Sequence, residues 1–195
     1  MKSVEFFFDL TSPYSYLAAT QLEGLARRTG SEIVWKPLAL GAVFKATGNA
    51  VPALCQPKAR YMLADLGRWA TRYGVPFQMN SRFPMNSMRG MRLIVAAEAS
   101  GHSGALAQRL FAAAWAEDRD IASDDELRIF CREAGLDPEP LLAAVETQAV
   151  KDKLRAYGEE AVARGVFGAP AMFVGDQLFW GNDRLDFVEA ALTAA

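Results

Sequence analysis

The chain has 195 residues, 51% of them hydrophobic, with 21 Lys plus Arg against 23 Asp plus Glu for a formal net charge of −2. This suits one domain, or one domain carrying a large insertion; it excludes wholesale disorder and gives no reason to expect nucleic acid or an anionic membrane surface as partner. One His and two Cys cannot supply a usual Cys/His zinc cluster, and they allow no disulfide framework beyond one bridge.

At the N-terminus Glu5 and Asp9 bracket the apolar run Phe6-Phe7-Phe8. A secretory signal needs a basic start and a longer apolar stretch without acids, and no segment approaches the about 20 apolar residues of a membrane span, so the expectation is a cytoplasmic protein with reduced thiols. Val4 to Phe8 reads as a buried strand. Thr11-Ser12-Pro13 reads as a helix start, because a hydroxyl before a proline caps free amides where the proline lacks one. Leu17, Ala18, Leu22, Leu25 and Ala26 follow at helical spacing to Gly30, and Glu32 to Lys36 is a second strand. The resulting β-α-β unit predicts a parallel pair joined by a right-handed crossover.

From Pro57 to about Tyr157 the helical period dominates. Met62, Leu66, Trp69 and Tyr73 form one stripe, Met88, Met91, Val95 and Ala99 another, and Leu106, Leu110, Ala113 and Ala114 a third. All three read as core-facing. Ser123 and Glu126 have the spacing of a capping box, and Asp137-Pro138 starts a further helix. Strands return at Ala171 to Val174 and Gln177 to Trp180, joined by Gly175-Asp176 as an antiparallel hairpin. Gly181-Asn182-Asp183 then opens a last helix. The layout predicts an α/β fold: one mixed sheet with helices on its faces and a large all-helical insertion, with a crevice between the two lobes.

Three short segments could carry chemistry there. Ser12 follows the first strand and precedes a helix, so it is either a plain cap or a donor to an anion held at the positive helix end. A serine without a histidine partner is a poor nucleophile, and His102, inside Ser100-Gly101-His102-Ser103-Gly104, reads as an exposed loop residue. Pro170, in Phe167-Gly168-Ala169-Pro170, stands at a strand entry, where only a cis bond would turn the Ala169 backbone outward; the low frequency of cis X-Pro favours an ordinary entry. In Gly181-Asn182-Asp183-Arg184, either Asn182 or Asp183 could cap the last helix or bind a ligand amine. Thr47-Gly48-Asn49 and Gln56-Pro57-Lys58 are turn signals.

Taken in order, Phe8-Asp9-x-x-Ser12-Pro13-Tyr14-Ser15-Tyr16-Leu17, Lys45-Ala46-Thr47-Gly48-Asn49, Phe167-Gly168-Ala169-Pro170 and Trp180-Gly181-Asn182-Asp183-Arg184 resemble the 2-hydroxychromene-2-carboxylate isomerases. These belong with the kappa-class glutathione transferases in the thioredoxin-like disulfide-oxidoreductase group. The resemblance spans nearly the whole chain. It implies a thioredoxin-like domain from residues 1–45 and 160–195, a helical insertion over 46–159, a homodimer, and reduced glutathione as a bound, unconsumed cofactor. In the oxidoreductase relatives a Cys-x-x-Cys stands where this chain has Ser12-Pro13-Tyr14-Ser15. Two hydroxyls cannot exchange disulfides, so the sulfur would come from glutathione. By the same resemblance Ser12 is the catalytic residue, donating to that thiolate. Ala169, before a Pro170 that the family holds cis, pairs with the glutathione backbone; Asn182 and Asp183 hold its γ-glutamyl end, and Asn49 and Lys58 are further contacts.

The implied reaction opens a cyclic hemiketal carboxylate to trans-o-hydroxybenzylidenepyruvate, in bacterial aromatic-hydrocarbon catabolism of the naphthalene type. Lys36, Lys45, Arg89 and Arg92 are candidates to hold the carboxylate of this small aromatic substrate. The other readings are a kappa-like transferase or peroxidase and a non-catalytic glutathione- or peptide-binding module. A disulfide oxidoreductase is disfavoured, since Cys131 falls in a helical core stripe and Cys55 is isolated.

Overall fold

A computed structural model describes residues 2–194. The central strand is β1 (Ser3–Phe8), flanked on one side by a parallel β2 (Glu32–Pro37) and on the other by an antiparallel β3 (Ala171–Val174). A further strand, β4 (Gln177–Trp180), closes the hairpin, so the sheet order is β2-β1-β3-β4. The three consecutive phenylalanines of β1 reflect cover on both faces. Val4, Phe6 and Phe8 enter the main core, while Phe7 joins a smaller core with Leu38, Val43, Ala161, Val166, Ala171 and Phe173. A strand buried on both sides has no polar alternation to show.

The crossover is α1 (Pro13–Thr29), capped by Ser12 and ended by Gly30 at φ 65°. A helix that the sequence pattern does not reveal, α2 (Leu40–Thr47), follows β2. The helical block comprises α3 (Gln56–Tyr73), α4 (Met88–Ala96), α5 (Ser103–Trp115), α6 (Asp124–Glu133), α7 (Pro138–Val145) and α8 (Gln148–Ala163). After β4, a 3-10 turn at Asn182–Arg184 leads into α9 (Leu185–Ala194). Two local expectations are corrected. Gln56-Pro57-Lys58 is the first turn of α3, not a connection. Ser123 heads α6 but its side chain makes no capping bond, and Glu126 turns to the Arg119 guanidinium at 2.7 Å instead of back to the helix start. A guanidinium offers the carboxylate a partner of full opposite charge, which a backbone amide does not.

The main core runs from the sheet into the helical block: the Phe111 ring of α5 lies 5.4 Å from that of Phe8 and 6.3 Å from that of Tyr16. On the opposite face Lys36, Glu5, Glu160 and Arg164 form an ion cluster joining β1, β2 and α8. Burial would raise the Glu5 carboxyl, but hydrogen bonds from Lys36 and Arg164 outweigh it and hold the group below its ordinary range.

Cys131 is fully buried and Cys55 exposed; burial pushes the Cys131 thiol up to about 11. Titration with an aromatic disulfide at pH 8 is therefore expected to modify one thiol at once and the second only in denaturant. Fast modification of both would contradict this packing. Among the described residues no helix is long and apolar enough to cross a membrane, and no His/Cys/Asp/Glu cluster could hold a metal.

Candidate active site

The site starts from the turn between β1 and α1. The Thr11 amide donates to Asp9 Oδ1 at 2.9 Å and the Ser12 amide to the Asp9 carbonyl at 3.0 Å, which delivers Ser12 in extended geometry at the head of α1. Its Oγ accepts from the Ser15 amide and donates to the Ala169 carbonyl, both at 3.1 Å. Ser12 is thus the helix cap and also a donor facing a second segment. The first turn of α1 contains no acidic residue, so the positive end of the helix is undiminished there.

The Ala169-Pro170 bond is cis, so the ordinary strand entry favoured by frequency alone does not hold. Gly181 donates its amide to the Pro170 carbonyl at 3.0 Å, bringing the loop after β4 to the same place. Its φ of 105° is in the region that favours glycine, and a β-carbon there would collide with the Asp183 carboxylate. Asn182 is buried, and its Nδ2 has no partner in the protein. Its carbonyl accepts from the Tyr73 hydroxyl at 2.7 Å. Asp183 pairs with Arg184. From the other side Asn49, just beyond α2, donates through Nδ2 to the Phe167 carbonyl at 2.9 Å. The fold therefore brings Ser12, Ala169 and Pro170 into one contact group, with Asn49 joined through Phe167 and Asn182-Asp183 through Gly181. Lys58 is exposed on the first turn of α3, without a hydrogen bond or ion pair to the others among the described residues.

Three of the four proposed carboxylate-binding cations are already engaged. Lys36 pairs with Glu160 at 2.7 Å and with Glu5, Arg89 with Asp124 at 2.7 Å and Glu146 at 2.8 Å, and Arg92 approaches Glu146 at 3.7 Å. Lys45 is exposed on α2, without an ion pair among the described residues. The Tyr14 hydroxyl donates to Asp65 Oδ2 at 3.1 Å; burial and that carboxylate hold the phenol well above its usual range, so it stays protonated near neutral pH. Ser15 is fully buried, with no partner for its Oγ.

Several supporting residues are not evident from spacing. Tyr73 sits in a stripe that reads as core, yet its hydroxyl holds the Asn182 backbone. Asp9 lies inside the Phe8-to-Leu17 motif, but nothing in the sequence shows what its carboxylate holds. The exposed rings of Phe167 and Trp180 meet at a tilt, their centres 4.9 Å apart. A β-carbon on Gly168 would come within 2.8 Å of the Trp180 indole nitrogen, which explains the glycine. Two surface hollows lie elsewhere, one of about 490 Å³ between β4 and α9 and one of about 390 Å³ beside the end of α3.

The profile of the DsbA-like thioredoxin domain matches residues 3–193. A 2-hydroxychromene-2-carboxylate isomerase from Sphingobium xenophagum is 39% identical over 193 residues, covering 98% of each chain. Glutathione S-transferase kappa 2 from Caenorhabditis elegans is 30% identical over 202 residues, covering 94% of this chain and 88% of that one. A solved structure of a 2-hydroxychromene-2-carboxylate isomerase superposes with a TM-score of 0.90 at 32% identity, over 98% of this chain and 95% of that one.

Proposed function

The chain belongs to the DsbA-like thioredoxin domain family and, within it, to the 2-hydroxychromene-2-carboxylate isomerases, and from that premise we propose that it isomerises its aromatic substrate with the help of reduced glutathione. The observation that carries this reading is the Ser12 hydroxyl, set 3.1 Å from the Ala169 carbonyl beside cis Pro170, with serine at both positions of the redox pair. A site of this shape that lacks its own sulfur suits a thiol brought in by a ligand.

The residues present fit a γ-glutamyl tripeptide. An unpartnered buried amide on Asn182, the Ala169 carbonyl that now accepts from Ser12, and the acid Asp183 supply the donor and acceptors that a peptide with a free amine requires. In this reading Ala169 pairs with the cysteine backbone, Asn182 and Asp183 hold the γ-glutamyl end, and Asn49 and Lys58 complete the contacts. When bound, glutathione supplies a thiolate that adds reversibly to a conjugated carbon of the substrate, so that a double bond can rotate. Ser12 has one proton to give, and in the free protein its hydroxyl donates it to the Ala169 carbonyl. Turning the hydroxyl toward a ligand sulfur releases that carbonyl to accept from the ligand amide, so binding exchanges one partner for another and leaves neither group bare. The end of α1 adds its positive potential at the same point. Lys45, exposed and without an ion pair among the described residues, is the one of the four candidates not already engaged, and in this reading it takes the substrate carboxylate.

The same reading takes residues 1–45 and 160–195 as the thioredoxin-like part and 46–159 as its insertion. It makes the protein a cytoplasmic homodimer of bacterial aromatic catabolism. The test is the absorbance of 2-hydroxychromene-2-carboxylate mixed with the protein, with and without glutathione. A spectral change that needs both is expected; no change with both present would overturn the isomerase reading, and a change independent of glutathione would overturn the cofactor. The identity with a kappa-class transferase favours a second reading, conjugation of other electrophiles. In that case glutathione would be consumed in step with product.

A further inference from the structure

Asp9 is the most heavily bonded side chain near the site, and the function as read so far gives it no part. It is 4% exposed. Oδ1 accepts from the Thr11 amide at 2.9 Å, the Thr11 hydroxyl at 3.0 Å and the Ser87 hydroxyl at 2.8 Å; Oδ2 accepts from the Leu40 amide at 2.9 Å. All four partners are neutral, so the cost of burying this charge is offset by hydrogen bonds alone. The partners also come from three different segments. Thr11 belongs to the turn that presents Ser12. Leu40 is the first residue of α2, whose preceding Ala39 offers no side-chain cap, so Asp9 caps that helix from another strand. Ser87 stands at the head of α4 in the helical block, where its hydroxyl makes no cap bond and donates to Asp9. One carboxylate therefore fixes the Ser12 turn, the helix that leads to Asn49, and the helical block, all in one frame.

We propose that Asp9 is a positioning residue of this site, acting through Ser12 and α2 to hold the thiol-binding groups in register with the helical block. The inference rests on the glutathione reading above. It is specific about the carboxylate: Asn at position 9 keeps an acceptor for Thr11 and Ser87 but turns an amide toward the Leu40 N–H, donor against donor. Ser87→Ala removes only the tie to the helical block and changes no charge.

The experiment measures kcat, KM, thermal midpoint and the thiol pKa of bound glutathione, by thiolate ultraviolet absorbance, in wild type, Asp9→Asn, Ser87→Ala and the double variant. Asp9→Asn is expected to lower kcat by about 10–100-fold, since small misplacements of catalytic groups have effects of that order. It is also expected to raise the bound thiol pKa. Ser87→Ala should move both in the same direction by less, and the double variant should be no worse than Asp9→Asn, because both changes break one unit. The sign of the pKa change separates mechanisms. A carboxylate acting by its charge alone would, when neutralised, lower the thiol pKa, and that result overturns the proposal. So does a loss of thermal midpoint with kcat, KM and bound thiol pKa unchanged. If Asp9→Asn fails to fold, Ser87→Ala decides by the same readouts. A wild-type protein that leaves the bound thiol pKa at its free value strikes the glutathione reading itself and takes the proposal with it; a fault confined to the variants strikes the proposal alone.

Discussion

Ser12→Ala is expected to reduce kcat for the glutathione-dependent isomerisation by about 100–1,000-fold, the usual consequence of removing one donor aimed at a developing anion. The structure makes this more than a transfer from relatives, because it defines what else the hydroxyl does. Ser12 caps α1 by accepting from the Ser15 amide, so its loss also weakens the helix start, at about 1 kcal/mol. It covers the Ala169 carbonyl, which in the variant is left to water or to a ligand amide. Neither loss is enough to unfold a domain held together by the core described above, so the variant should remain folded and its kinetics should be readable. The two roles separate experimentally. If Ser12 were only a cap, the thermal midpoint would fall while kcat stayed within about threefold of wild type. If it is the donor, kcat falls steeply, the thiolate absorbance of bound glutathione drops at neutral pH, and glutathione affinity changes less than the rate. Retention of rate with a lowered midpoint would remove Ser12 from the chemistry.

The elements that the sequence reveals well are those whose stability is local. The Phe6-Phe7-Phe8 run, the Ser12-Pro13 start and Gly30 stop, and the Gly175-Asp176 hairpin all appear where their patterns place them. What stays hidden is held from a distance. The α2 helix is eight residues long, includes Gly41, and receives its N-terminal acceptor from Asp9, which no window of its own sequence contains. The capping box at Ser123 and Glu126 has the right letters, but Arg119 stacks its guanidinium 4.4 Å from the Phe130 ring centre and claims the carboxylate. The cis bond at Pro170 is opposed by frequency and follows only from resemblance. In the site itself the chemistry-bearing residue types were legible by motif. Their second layer was not: Asp9, Tyr73 and Phe167 act through a carboxylate, a hydroxyl and a carbonyl whose partners lie 31 to 118 positions away in the chain.

Trp115→Ala is expected to be the most destabilising single change near this frame, at about 3–5 kcal/mol for truncating a fully buried tryptophan. Trp115 is 0% exposed at the end of α5, its ring stacked 6.1 Å from that of Phe77 and tilted 6.0 Å from that of Phe83. Its indole Nε1 donates to the Leu10 carbonyl at 2.8 Å, inside the turn that presents Ser12. Trp115 therefore does in the core what Asp9 does with its hydrogen bonds: it ties the β1–α1 turn to the helical block. Truncation removes the apolar contacts, opens a cavity between α5 and the loop carrying Phe77 and Phe83, and strands a buried carbonyl. Trp115→Phe separates these contributions. It keeps most of the ring packing but leaves the Leu10 carbonyl unpaired, for an expected cost of about 1–3 kcal/mol. Urea unfolding followed by far-ultraviolet dichroism measures both, and a Trp115→Ala loss under about 1 kcal/mol would mean that the site can collapse around the cavity. The Phe variant carries the functional information. With the fold intact at low temperature, a fall in kcat would mean that the Leu10 bond matters to where Ser12 points, whereas an unchanged kcat would leave the tie of that turn to the helical block to Asp9.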